Sequence, residues 1–140
     1  MRGFPEQEDY AGLFDLAEVN GASVAVIRPL AGGALTDAIL CKGSEGRHEL
    51  SRGWYREHPE QLEPEISRAR RFEFLRHGGT QTLSEAAYRY ILSDTRVATI
   101  VGGFSDPAHL EEAARASDLG ALGDDDKQEI AAIHKRGFGG

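Results

Sequence analysis

Val97-Ala98-Thr99-Ile100-Val101-Gly102-Gly103-Phe104-Ser105-Asp106-Pro107 is the stretch on which the fold turns. Its first five residues are β-branched at every position but Ala98, the mark of a short buried strand. The paired glycines and the proline end that strand in a turn, and helical spacing resumes from Ala108. Residues 23–27 (SVAVI), followed by Arg28-Pro29-Leu30-Ala31-Gly32-Gly33, repeat the plan: an apolar run, a proline and paired glycines. Neither run alternates between apolar and polar, so both read as strands covered by helices on each face.

Working outward, residues 9–20 place Leu13, Leu16 and Ala17 on one helical stripe, with Gly21 as a stop. Residues 36–62 show no clean period and read as a long surface loop. A helix is expected over 64–77, with Pro64 near its start and Gly78-Gly79 closing it. Thr82-Leu83-Ser84-Glu85 has capping-box spacing. Leu83, Ala86, Ala87, Tyr90 and Ile91 then supply an amphipathic stripe. Further helices follow over about 108–116 and 124–135, the last opening with three acids at its positive end.

The element order is helix, strand, loop, helix, helix, strand, helix, helix. Strands alternating with helices imply a parallel α/β sheet. Two parallel strands alone keep unpaired edges, so residues 1–140, taken as one segment, read as part of a larger α/β object.

Composition narrows the partners. The formal charge of −7 over 140 residues disfavours nucleic acid, whose phosphates call for a basic face. Arg68, Arg70, Arg71 and Arg76 lie between acids at helical spacing, and Glu65 is placed to pair with Arg68. No apolar run reaches the ~20 residues of a membrane span. The opening ten residues carry Glu6, Glu8 and Asp9 and no apolar signal core. Cys41 is the single cysteine, which excludes an internal disulfide and points to a reducing, cytoplasmic setting. His48 and His58 lie near Glu49, Glu57 and Glu60 but fit no recurrent metal spacing, so no metal is expected. Trp54, Tyr55, Phe72 and Phe74 are read as packing for the loop and its helix.

The two strand-to-helix junctions are where chemistry is expected, because ligands gather beyond the carboxyl ends of parallel strands. At residues 102–107, glycines permit close backbone approach, the following helix offers free N–H groups, and Ser105 has a hydroxyl to donate. The same residues also read as a tight turn capped by Ser105 or Asp106, with Pro107 in the first helical turn. No G-x-G-x-x-G opens a helix after a strand, so this is not a Rossmann fingerprint.

Arg28-Pro29-Leu30-Ala31-Gly32-Gly33-Ala34-Leu35 resembles the aldo/keto reductase segment at the end of the seventh barrel strand, usually S-P-L-A-x-G-x-L. Residues 81–93 resemble that family's seventh helix, and Val97 to Gly103 resemble its eighth strand, V-x-x-V-I-P-G. Residues 105–113 parallel its adenosine-binding helix start. Leu122-Gly123-Asp124-Asp125-Asp126 resembles its closing L-S-x-E-E-L.

The resemblance implies a partial (β/α)8 TIM barrel: the C-terminal portion, from helix 6 through strand 8 and the closing helices. It implies NADP(H) or NAD(H) as cofactor, and aldehydes or ketones as substrates. Arg28, Pro29, Leu30, Ala31 and Gly32 would line the pyrophosphate. Gly103 and Ser105 would face the adenosine ribose, and His109 and Glu112 the adenine. Arg28 replaces the usual serine, Gly102 the usual proline and Ala113 the usual asparagine. The tyrosine, lysine, aspartate and histidine of the family's chemistry belong on the first four strands, so no catalytic residue is assigned and the chain is expected to be inactive alone. Its partner would be a separately encoded N-terminal half or a second copy. The alternative is a non-catalytic half-barrel, a nucleotide-binding or scaffold module that self-associates.

Overall fold

The computed structural model describes residues 12–42 and 54–137. Two strands, β1 (Val24–Ile27) and β2 (Val97–Val101), pair in parallel. Val24 lies opposite Val97 and Ile27 opposite Val101, with one irregularity after Val24. Around them run seven helices among the described residues: α1 (Leu13–Val19), α2 (Asp37–Lys42), α3 (Trp54–Glu57), α4 (Leu62–Arg70), α5 (Leu83–Ile91), α6 (Pro107–Leu119) and α7 (Asp124–Lys135). β2 and α7 have the bounds their sequence implies.

Residues 36–62 are not one surface loop. They contain α2, α3 and a 3-10 turn at Pro59–Gln61. Ile39, Leu40, Tyr55 and Leu62 from this span are buried in the main apolar cluster with Ile66, Leu75, Leu83, Leu122 and Ile130. The apolar residues are too few per helix for a period to emerge, yet each short helix drives one or two side chains inward. Burial pushes the Tyr55 hydroxyl up to about 12, helped by nearby Glu65 and opposed by Arg68. Phe72 packs against the cluster, and Phe74 is exposed. Gly43, Gly46, His48, Glu49 and residues 9–11 of the first expected helix lie outside the described residues. His58 meets Glu60 at 3.5 Å on the surface.

The helix expected over 64–77 divides into α4 and a 3-10 turn at Glu73–Leu75. Arg68 pairs with Glu65 at 2.6 Å, as their spacing requires.

Thr82 caps α5, its hydroxyl oxygen accepting from the Glu85 N–H at 3.1 Å. Glu85 reaches back as a capping box predicts, but to the Gln81 N–H at 2.6 Å, one residue earlier than the usual partner. Its carboxylate is fully buried and pairs with Arg115 of α6. The inward face of α5 includes Leu83 and Ala86 of the apolar stripe and is wider than the stripe: Ser84, Glu85 and Tyr88 are buried too, whereas Tyr90 is 46% exposed. Arg89 of the same helix clamps the α6–α7 connection, donating to the carbonyls of Gly120 and Ala121 at 2.9 Å each.

The sheet is poorly covered. No residue of β1 or β2 is buried, and Ile27 and Val101 are 67% and 56% exposed. The expectation of strands covered on both faces fails for this chain. α1 likewise contributes no buried residue, and its stripe of Leu13 and Leu16 faces outward. What fixes α1 is polar: Arg96, just before β2, pairs with Asp15, lies over the Phe14 ring at 5.1 Å and pairs with Asp94 at 2.6 Å.

Those hydrogen bonds from Arg96 hold the Asp94 carboxyl at about 2, below the usual carboxylate range. A depressed folded value stabilises the protein above the ordinary carboxyl pKa, and that contribution fades as pH falls through the folded value. The wild type is expected to lose stability between about pH 4 and pH 2, and Asp94→Asn to lose less over the same window. Denaturant midpoints measured by circular dichroism across that range check the difference; parallel curves for the two proteins would exclude it.

Candidate functional site at the strand ends

Parallel pairing sets both glycine-containing junctions at the same end of the sheet. The last paired residues are Ile27 and Val101, so both junctions start directly from the end of the ladder. The two junctions flagged in the sequence are thus neighbours in space.

The β1 junction is tightly wound. Arg28 and Ala31 take left-handed backbone conformations, at φ 54° and 48°, which non-glycine residues seldom adopt. Gly32 and Gly33 follow at 68° and 105°, values open to residues without a Cβ. The turn satisfies itself: the Leu30 carbonyl accepts from the Gly33 and Leu35 N–H groups at 2.8 and 3.3 Å. Ala34, 1% exposed, pins the turn to the apolar cluster. Pro29, Leu30, Ala31 and Gly32 therefore offer shape rather than free amides. Arg28, exposed, offers charge.

The β2 junction is open. Nothing lies within 4 Å of where a Gly103 Cβ would stand. Among the described residues, the Gly103 and Phe104 N–H groups make no turn or cap bond to a backbone carbonyl. Of the two caps left open by the sequence, Asp106 is the one used: its carboxylate accepts from the Ala108 N–H at 2.8 Å, with Pro107 as the first residue of α6. Ser105 is exposed, its Oγ 3.4 Å from Nδ1 of His109. Gly103, Ser105 and His109 thus share one exposed surface at the start of α6. Glu112 does not join them. It faces α5, taking the Thr82 hydroxyl hydrogen bond, and its charge together with burial raises the Tyr88 pKa.

This arrangement suits an anion with an extended organic body. Arg28 is the single lysine or arginine in residues 23–36, and residues 97–114 have none. Within these two segments, positive character comes from the Arg28 guanidinium and from backbone N–H groups beyond β2. Open space over Gly103 lets a phosphate approach the chain closely. Phe104 is a further exposed aromatic beside the same glycines, absent from the sequence-based site. An aromatic directly after a glycine pair at a strand end is a signal by which the sequence could have shown it. Among the described residues no group of three or more His, Cys, Asp or Glu side chains is set to hold a metal. No helix there is long and apolar enough to cross a membrane.

A parallel strand pair among helices, with both glycine-containing junctions at its carboxyl end, defines an α/β protein. The family model described as the Aldo/keto reductase family matches residues 4–135, and the chain belongs to that family. The family is one of oxidoreductases, with a TIM-barrel-like α/β fold and general use of NAD(P)H. Comparison with curated proteins finds no significant match.

Proposed function

We propose that these 140 residues are the C-terminal part of an NAD(P)H-dependent aldehyde or ketone reductase, helix 6 through strand 8 with the closing helices, and that they carry its cofactor phosphate and adenosine site. The observation that supports this reading is the parallel pairing of β1 and β2, which sets the Arg28-to-Gly33 junction and the Gly102-Gly103 junction at the same end of the strands. In this reading NADP(H) or NAD(H) supplies the hydride. Arg28 meets the pyrophosphate, Pro29 to Gly32 shape its bed, and Gly103 with Ser105 faces the adenosine ribose. His109 sits at the adenine edge, and Glu112, engaged with Thr82, supports the helix that presents it.

The residues that transfer a proton to the carbonyl lie, by the resemblance, on strands outside this sequence, so the chain alone is inactive. The uncovered sheet fits this reading. Ile27 and Val101 are large apolar side chains whose full burial is worth about 1.5–3 kcal/mol each, and the first half of the barrel is their natural cover. A reducing, cytoplasmic setting agrees with the lone, exposed Cys41.

Calorimetric titration of the full chain with NADPH and NADH tests the reading. Binding of at least one is expected, with Arg28→Ala weakening it by about tenfold or more, the worth of a hydrogen bond to a charged group. Absence of binding by the wild type would overturn the cofactor assignment. Carbonyl reduction should be nil for the chain alone and should appear when a polypeptide supplying the first four strands is added.

The alternative, a self-associating scaffold half-barrel, draws on the exposed stripe of Leu13, Leu16 and Val19 beside the open sheet. Sedimentation separates the two. A stable dimer whose association survives saturation with the first-half polypeptide favours the scaffold.

A further inference from the structure

Gly102 stands where the resemblance leads one to expect proline, and the structure supplies a physical use for it. A Cβ built on Gly102 would lie 3.0 Å from Cζ and 3.4 Å from Cε1 of Phe104, and 3.4 Å from the Tyr88 hydroxyl oxygen. The phenyl ring is therefore laid back across the glycine, in space that any side chain at 102 would claim. Tyr88, itself buried, supports the same spot from α5. The ring is not absorbed by this packing, for Phe104 remains 46% exposed. The tip of the ring meets the glycine, and close to half of the side chain stays open to solvent. It lies just beyond the carboxyl end of β2, with Ser105 following it in the chain, while Arg28 begins the junction after the paired strand β1.

An exposed aromatic ring backed by glycine, just past the strand end where the neighbouring junction begins with Arg28, offers a plane on which a base can stack. We propose that Phe104 is the stacking platform for the purine of the bound nucleotide, and that Gly102 is the residue that lets the ring lie flat enough to serve. This rests on the cofactor reading above and deepens it, by assigning base recognition to a residue on the strand side rather than to α6 alone. Phe104 is a specificity-determining residue in this scheme and takes no part in hydride transfer.

The test titrates the full chain with NADPH, AMP and inorganic pyrophosphate, for wild type, Phe104→Leu and Gly102→Ala. Stacking on an aromatic contributes on the order of a tenfold or larger factor per base. Phe104→Leu is expected to weaken NADPH and AMP by about that factor while leaving pyrophosphate within about twofold. Gly102→Ala should act in the same direction, because its methyl displaces the ring. Phe104→Trp should restore AMP binding, with its added fluorescence quenched as AMP saturates. Thermal melting gives the folding control: an exposed side chain removed from the surface should shift the midpoint little. Equal AMP binding by wild type and Phe104→Leu, or equal weakening of AMP and pyrophosphate, overturns the stacking role and leaves the cofactor reading intact. A wild type that binds none of the three ligands overturns the cofactor reading and this assignment with it.

Discussion

Replacing Arg115 by leucine is expected to lower the stability of the chain by about 2–4 kcal/mol, the largest effect of any single surface-lying residue. The reason lies in its partner. The Glu85 carboxylate is 0% exposed and sits on the inner face of α5, where α6 crosses it. With Arg115 present the charge is matched, and the Gln81 N–H at 2.6 Å adds a second contact. Without Arg115 the carboxylate is left buried and unpaired, and breaking such a pair typically costs about 3–5 kcal/mol. The lower range applies because the Arg115 side chain is 42% exposed, so solvent screens part of the attraction. The melting midpoint should fall by roughly 5–15 °C for a domain of this size. Adding Glu85→Gln to Arg115→Leu should recover much of the loss, since a neutral amide retains an oxygen for the Gln81 N–H without a charge to desolvate. A melting curve for Arg115→Leu that overlays the wild type would remove this pair from the account of α5–α6 packing.

Ile39→Ala should cost about 3 kcal/mol, within the range for truncating a buried isoleucine. Ile39 is 0% exposed and packs with Leu40, Leu62, Ile66 and Leu83. The interest of this substitution is its position, in a span that reads as surface loop. A side chain in such a loop tolerates truncation within about 0.5 kcal/mol. Urea unfolding monitored by circular dichroism separates the two values cleanly. A midpoint unchanged by Ile39→Ala would mean that α2 does not hold the core together.

Why this span resists reading is instructive. α2 has six residues and α3 four, too short for a 3.6-residue period to repeat. Their burial comes from tertiary contacts that leave no rhythm in the chain. By contrast, β2, the Thr82 cap and the acid-led start of α7 are each determined by a few adjacent residues, and the structure places them where those residues require. The burial of α5 exceeds what its stripe shows. Leu83 and Ala86 go inward as the stripe requires, but Glu85 goes in with them, because Arg115 neutralises it and the Gln81 amide binds it. Only a partner thirty positions away makes that burial tolerable. At the strand ends, the placement of both glycine-containing junctions at one end follows from parallel pairing, which alternation of strands and helices made legible. The engagement of Glu112 with Thr82 does not follow from either segment alone, since it depends on how α6 lies across α5. The bareness of the sheet is likewise illegible locally: Val, Ile and Thr favour strands whether or not anything covers them.

That bareness has a mechanical consequence. The rigid mass of the molecule is helical, and the strand pair hangs from it by backbone ladders, a pinned turn at Ala34 and the polar hub at Arg96. Loops and edges with few apolar contacts open at small free-energy cost while the rest of a domain stays shut. The carboxyl end of the strand pair thus belongs to the least anchored part of the body, so a ligand that grips both strand tips at once would draw part of its affinity down to order them. Preorganisation of that end would come from outside, through the neighbouring staves that complete the ring.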